Sequence, residues 1–183
     1  MEKNLIGNKK DYAIEYSFDD KSRETEFAMY LNNRNILEFT RNGKVYTTKW
    51  ILDELALWLR EFLDAKSQEV FPYDVVGEYA AMKDINAREF DSDDDDEFDA
   101  YYDRLDEWNQ KHRWHTESAG AILADVYFQF VEDKVEISWN NEDAEEGVDF
   151  TEKLGGSDVD AEVFINVVNE FLQEYANHWF SLQ

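Results

Sequence analysis

Residues 126–139, VYFQFVEDKVEISW, decide the fold. Val126, Phe128 and Phe130 alternate along one segment, and Val135, Ile137 and Trp139 along the next, with a tight turn at Glu132–Lys134. A period of two puts alternate side chains on one face of a pleated sheet, so the pair reads as an antiparallel hairpin with Trp139 in the core. Downstream, the acidic loop NNEDAEEG precedes a further run, VDFTEKL, and GGSD reads as a turn and N-cap region before a last helix. That helix carries Val163, Phe164, Val167, Val168, Phe171, Leu172 and Tyr175 on one face.

The N-terminal third has the same order. Tyr12, Ile14, Tyr16 and Phe18 alternate, as do Phe27, Met29 and Leu31, and NNRN supplies a turn. Asn42-Gly43 between ILEFT and KVYTT is the strongest short hairpin signal, because both residues tolerate positive φ. A helix is predicted at about 50–65, with Ile51, Leu52, Leu55, Trp58, Leu59, Phe62 and Leu63 as its stripe. A short helix is predicted at about 73–83. The expected architecture is α+β, antiparallel sheet covered by helices, in one domain of residues 1–183. Within it, 1–66 form a sheet and helix, 67–115 a helical connector with an acidic segment, and 116–183 a second sheet and helix. Both outer parts read as strand–strand–strand–helix, the first preceded by an extra strand, an order compatible with a duplication although residue identity between the parts is slight.

Composition narrows the function. At 43% hydrophobic and 16% aromatic residues, the chain buries enough surface to fold. Its 43 acids against 18 Lys and Arg give a net charge of −25. Such a field repels nucleic acid and anionic membrane and attracts basic proteins, so neither of the first two is an expected partner. Cysteine is absent, which excludes disulfides and thiolate chemistry. The start, MEKNLIGNKKDY, has no apolar h-region, and no stretch approaches the roughly 20 apolar residues of a membrane span. A cytoplasmic protein is expected.

Charge concentrates in residues 89–108, EFDSDDDDEFDAYYDRLDEW, where eleven of twenty side chains are acidic. Phe98, Tyr101, Tyr102, Leu105 and Trp108 recur at helical spacing, so the segment reads as an acidic lip, mobile over Phe90 to Asp96, running into a docked helix. Carboxylates from Asp93 to Glu97 then favour the positive helix end. Asp91, Asp93, Asp95 and Glu97 alternate like the opening of a calcium loop. That loop needs Gly at its sixth position and Glu at its twelfth, where Asp96 and Tyr102 stand. His112 and His115 have no third ligand at diagnostic spacing and read as a surface or interfacial pair. With no H-E-x-x-H, nucleophile elbow, P-loop or dinucleotide glycine pattern, no metal, cofactor or catalytic residue is assigned and no enzyme activity is expected.

Protein binding remains. The candidate contact residues of the first acidic cluster are Asp91, Asp93, Asp94, Asp95, Asp96, Glu97, Asp99, Tyr102, Asp103, Asp106 and Glu107. Those of the second are Glu142, Asp143, Glu145 and Glu146, amid further acids at Glu132, Asp133, Glu136 and Asp149. Steering acids around aromatic anchors suit fast capture of a basic protein. Rival readings are a nucleic-acid mimic that blocks DNA-binding proteins, and a metal-dependent or hydrolytic enzyme built on the Asp-rich segment.

Residues 108–141, from Trp108 through His112 and Gly120 to DVYFQFVEDKVEISWNN, are similar to a segment of bacterial proteins. Some such segments accompany metallopeptidase domains, an activity not carried over without H-E-x-x-H. As a whole, the small, acidic, α+β chain resembles immunity proteins of bacterial polymorphic-toxin and interbacterial competition systems. That resemblance implies a cytoplasmic inhibitor that binds one cognate, basic toxin domain and blocks its active site. On that reading Asp91 to Glu107 face the toxin's basic cleft, and Glu142–Glu146 form a second contact.

Overall fold

The computed structural model describes residues 3–114, 122–142 and 144–180, with the backbone alone at Phe180. Along the described chain run strands β1 (Asn4–Asn8), β2 (Tyr12–Phe18), β3 (Thr25–Leu31), β4 (Arg34–Asn35), β5 (Phe39–Arg41), β6 (Lys44–Tyr46) and β7 (Thr48–Trp50). Helices α1 (Asp53–Ala65), α2 (Ala80–Ala87) and α3 (Asp95–His112) follow. Then come β8 (Arg113–Trp114), β9 (Val126–Val131), β10 (Lys134–Asn140), β11 (Val148–Phe150), β12 (Leu154–Asp160) and α4 (Ala161–Phe180). The fold is α+β with antiparallel sheets, as the alternation and helical stripes imply.

The deciding hairpin forms as read. β9 pairs with β10 with Phe130 opposite Val135, Phe128 opposite Ile137 and Val126 opposite Trp139. The turn places Glu132 at φ 54°, a left-handed residue that closes the hairpin. β8 and β12 complete this sheet in the order β12-β10-β9-β8. The N-terminal sheet runs β1-β2-β3-β4, with β7 also pairing to β3, and aligns Tyr12 with Leu31, Ile14 with Met29 and Tyr16 with Phe27. Asn42 and Gly43 both take positive φ between β5 and β6, as the hairpin signal requires.

Phe164 on α4 ties the two sheets together. Its ring lies 5.2 Å from Tyr12 of β2, 5.9 Å from Phe128 of β9 and 6.1 Å from Phe62 of α1. One apolar core therefore runs from Ile6 to Trp179 and includes both of these sheets, the small sheet β11-β5-β6 through Phe39, Val148 and Phe150, and α1 and α4. α2 and α3 cover the other face of the β9–β10 sheet, where Phe71, Ala80, Ala81, Ala87, Leu105, Trp108 and Tyr127 form a second cluster. No helix among the described residues is long and apolar enough to cross a membrane.

Four local expectations change. GGSD is not a cap but the middle of β12, which pairs with β10. The glycines are there because aromatic rings lie on both faces of the strand. A Cβ on Gly155 would meet the Trp139 ring at 2.8 Å, and one on Gly156 the Tyr79 ring at 2.4 Å. The cap of α4 is instead Asp160, whose Oδ1 accepts from the backbone N–H of Glu162 at 3.0 Å and Val163 at 3.1 Å.

VDFTEKL breaks in two, because β11 leaves to pair with β5 of the N-terminal part while β12 returns to β10. The short helix begins at Ala80, not near 73. Its start is fixed by β10, whose Glu136 Oε1 and Ser138 Oγ accept from the N–H groups of Ala80 at 2.7 Å and Ala81 at 3.1 Å. Ile51 lies before α1 and is exposed, so the stripe begins at Leu52.

Candidate functional site

α3 carries the first acidic cluster, and its start is determined by side chains. Asp94 is the N-cap: its Oδ1 accepts from the N–H of Asp96 at 3.0 Å and of Glu97 at 3.2 Å. Ser92 Oγ accepts from Asp94 N–H and donates to Glu97 at 2.8 Å. Asp95, Asp96 and Glu97 occupy the first turn and Lys111 and His112 the last, each sign at the helix end that favours it.

The predicted apolar face docks except at Phe98, in the first turn, which is 37% exposed. Leu105 and Trp108 are fully buried, and Phe71 meets Trp108 edge-on at 4.9 Å. Tyr101 is sandwiched between Tyr73 and Phe90, with both ring centroids 3.9 Å away and the planes 11° apart. Tyr102 points its hydroxyl at the carbonyls of Arg88 (3.0 Å) and Phe90 (3.1 Å). The lip is therefore fastened at its first residue, Phe90, and Tyr102 fastens it.

A polar layer that sequence reasoning missed lies beneath α3. Asp84 on α2 is buried and accepts from Arg88 Nε at 2.7 Å, Asn109 Nδ2 at 2.8 Å and Tyr127 OH at 3.0 Å. Tyr127 OH also lies 3.5 Å from Asp125, whose other oxygen accepts from Arg113 Nε at 2.5 Å. Burial pushes the Asp125 carboxyl up, against the pull of Arg113, and pushes the Tyr127 phenol up as well. The network joins α2, α3 and β9 by contacts 25 and 43 residues apart in sequence, so no local motif announces it. With its carboxylates and phenol mutually bonded, it holds α3 in place.

His112 belongs to the same underlayer, not to the surface pair expected. It is wholly buried, stacks on Trp108 at 4.3 Å, and its Nδ1 lies 3.0 Å from the Trp108 carbonyl. Burial holds its pKa below the usual histidine value, and because the Trp108 carbonyl can only accept, Nδ1 is the donor. His115 and Gly120 lie outside the described residues. No three His, Asp or Glu among the described residues come together to hold a metal.

The outward face of α3 is a row of carboxylates. Asp95, Asp99, Asp103 and Glu107 are all exposed and lie at i, i+4, i+8 and i+12, which sets them about 6 Å apart along the axis. Among the described residues the surrounding cations are engaged elsewhere. Arg88 pairs with Asp84, Lys111 with Glu69 at 2.9 Å and Arg113 with Asp125, while Arg104 lies over the Tyr73 ring at 5.4 Å. Like charges at i, i+4 oppose helix formation, so the row weakens the helix that carries it.

The second cluster differs. Glu145 pairs with Arg41 at 3.5 Å, Asp149 with Lys153, and nearby Glu152 with Arg34 at 3.0 Å. Glu142 and Glu146 are exposed, and Asp143 lies outside the described residues. This loop leaves β10 beside Asp125, the end of the sheet where α3 finishes. The Asp94 end is a helix length away, about 27 Å for eighteen residues, whereas Glu107 stands only five residues from the end of α3 nearest this loop.

Charge is also unequal over the chain. Residues 1–66 hold 12 acids and 11 bases, whereas 67–183 hold 31 acids and 7 bases. Comparison with protein families, curated proteins and solved structures returns no match, so the site stands on its own geometry.

Proposed function

We propose that the chain is a stoichiometric inhibitor of a basic protein, acting as an immunity protein toward a cognate bacterial toxin domain. The observation that carries this reading is the row Asp95, Asp99, Asp103 and Glu107. It is exposed, has among the described residues only Lys111 near Glu107 as a cation on its face, and rides on a helix docked by its aromatic face. Asp99 and Asp103 repel each other along the helix and make no ion pair among the described residues, and a charged pair kept at that cost points to an external contact. A rigid row of carboxylates speeds encounter with a basic cleft and fits it without reordering. The inhibitor needs no chemistry of its own; it occludes a cleft that an anionic substrate would use.

A second reading draws on the even spacing of the row, which is that of charges repeated along a strand. It makes the chain a nucleic-acid mimic acting on several DNA-binding proteins. Pull-down of purified basic proteins, including candidate toxin domains, separates the two: an immunity protein retains one, a mimic several. For whichever is retained, Lys at Asp93–Asp96 should slow association at low salt about tenfold or more and flatten its salt dependence. An on-rate unchanged at low salt removes the acidic segment from the interface.

A further inference from the structure

α1, Ser67 just beyond it and the C-terminal turn of α3 line a cleft of about 180 Å³, with Trp58, Glu61, Phe62, Ala65, Gln110 and Lys111 in its walls. Trp58 Nε1 donates to the Gln110 carbonyl at 3.1 Å, which fixes the indole and ties the two walls together. Trp58 and Phe62 stack at 5.4 Å with planes 9° apart, so the apolar lining is a rigid pair of rings. Small-molecule sites occupy about 300–1,000 Å³, so a cleft this small suits a single side chain.

The charges at its mouth say which. Lys111 is held by Glu69 at 2.9 Å, and Glu107 stands one turn away on α3. Glu61 makes no ion pair or hydrogen bond among the described residues and lines the cleft from an exposed position. The mouth thus offers one uncommitted carboxylate beside an aromatic wall, next to the acidic row. A planar guanidinium on a methylene stem matches both parts, since it stacks on aromatic faces and forks onto carboxylates.

We propose that this cleft receives an arginine side chain of the partner, with the stem on Trp58 and Phe62 and the guanidinium on Glu61. The inference rests on the reading of the partner as a basic protein and gives that partner an anchor beside the row that attracts it. The row then sets the rate of capture, and the cleft sets the lifetime of the complex.

The test uses the whole, isotopically labelled chain titrated with N-acetyl-arginine amide and followed by amide and indole NMR signals. The Trp58 indole N–H and the Gln110 and Lys111 amides should shift together and saturate. N-acetyl-lysine amide, N-acetyl-norleucine amide and guanidinium should each bind more weakly. Glu61→Gln should weaken arginine binding about tenfold, whereas Asp64→Asn, on the same helix but outside the cleft, should leave it unchanged. Four outcomes would overturn the assignment: no saturation, shifts spread over all acidic surfaces, equal losses in both variants, or equal binding of lysine or norleucine amide. Because the probe needs no partner, its failure leaves capture by the acidic row standing. Conversely, a filled cleft in a chain that retains no basic protein refutes the proposed function alone.

Discussion

Glu136 shows how one residue serves the fold at a cost. It sits on the face of β10 turned toward α2, accepts from Ala80 N–H and Ser138 Oγ, and is largely buried. Burial pushes its carboxyl pKa above the usual 4.5, and the bonds from Ala80 and Ser138 only partly oppose that. A carboxyl whose folded pKa is raised binds its proton more tightly folded than unfolded. Its ionisation therefore opposes folding, fully above the folded pKa and not at all below 4.5. Glu136→Gln keeps an oxygen for the Ala80 N–H and removes the charge. The variant should show a higher urea midpoint than the parent at pH 8, and the difference should shrink on acidification and vanish below about pH 4. A variant less stable by the same amount at every pH would mean that the carboxylate is a favourable cap in its ionised form.

At the scale of elements, α3 sets stability against surface charge. Its buried side holds Leu105, Trp108, Asn109 and His112, while its exposed side repels itself. Asp103→Lys replaces two repulsive i, i+4 pairs, with Asp99 and Glu107, by two attractive ones. It should stabilise the chain by about 1 kcal/mol in urea unfolding while weakening capture of the basic partner. An unchanged or lower stability would mean that the row is already neutralised in solution. The helix and its capped start were legible in the sequence because apolar residues recur at i, i+3 and i+4 behind a run of Asp. β2, β3, the Asn42-Gly43 hairpin, α1 and α4 were legible for the same kind of reason. β12 was not, because its glycines look like a turn until the rings of Tyr79 and Trp139 are seen lying on them. Nor was the start of α2, which is fixed by an acceptor 56 residues away. At the site, the acids could be read as exposed. The Asp84–Tyr127–Asp125 network could not, since its members meet only once the sheet has formed.

For the whole molecule, the uneven charge has consequences of opposite sign for folding and for binding. Residues 67–183 hold 31 acids and 7 bases, yet they share one core with the nearly neutral residues 1–66. Self-repulsion therefore opposes folding of the chain as a unit, and salt should relieve it in two ranges. The screening length is about 30 Å at 0.01 M, about 10 Å at 0.1 M and about 3 Å at 1 M. Repulsion across the molecule fades by about 0.1 M, whereas neighbours about 6 Å apart on α3 continue to repel until the salt is several times higher. The urea midpoint should therefore rise steeply from 10 mM to 100 mM NaCl and more gently to 0.5 M, for a total on the order of 1 kcal/mol. Asp103→Lys should remove mainly the gentler part. Over the same range association with a basic partner should slow, because the field that opposes folding is the one that draws the partner in. A midpoint independent of NaCl would show that bound cations already balance the acids, and would remove the physical basis for capture by charge.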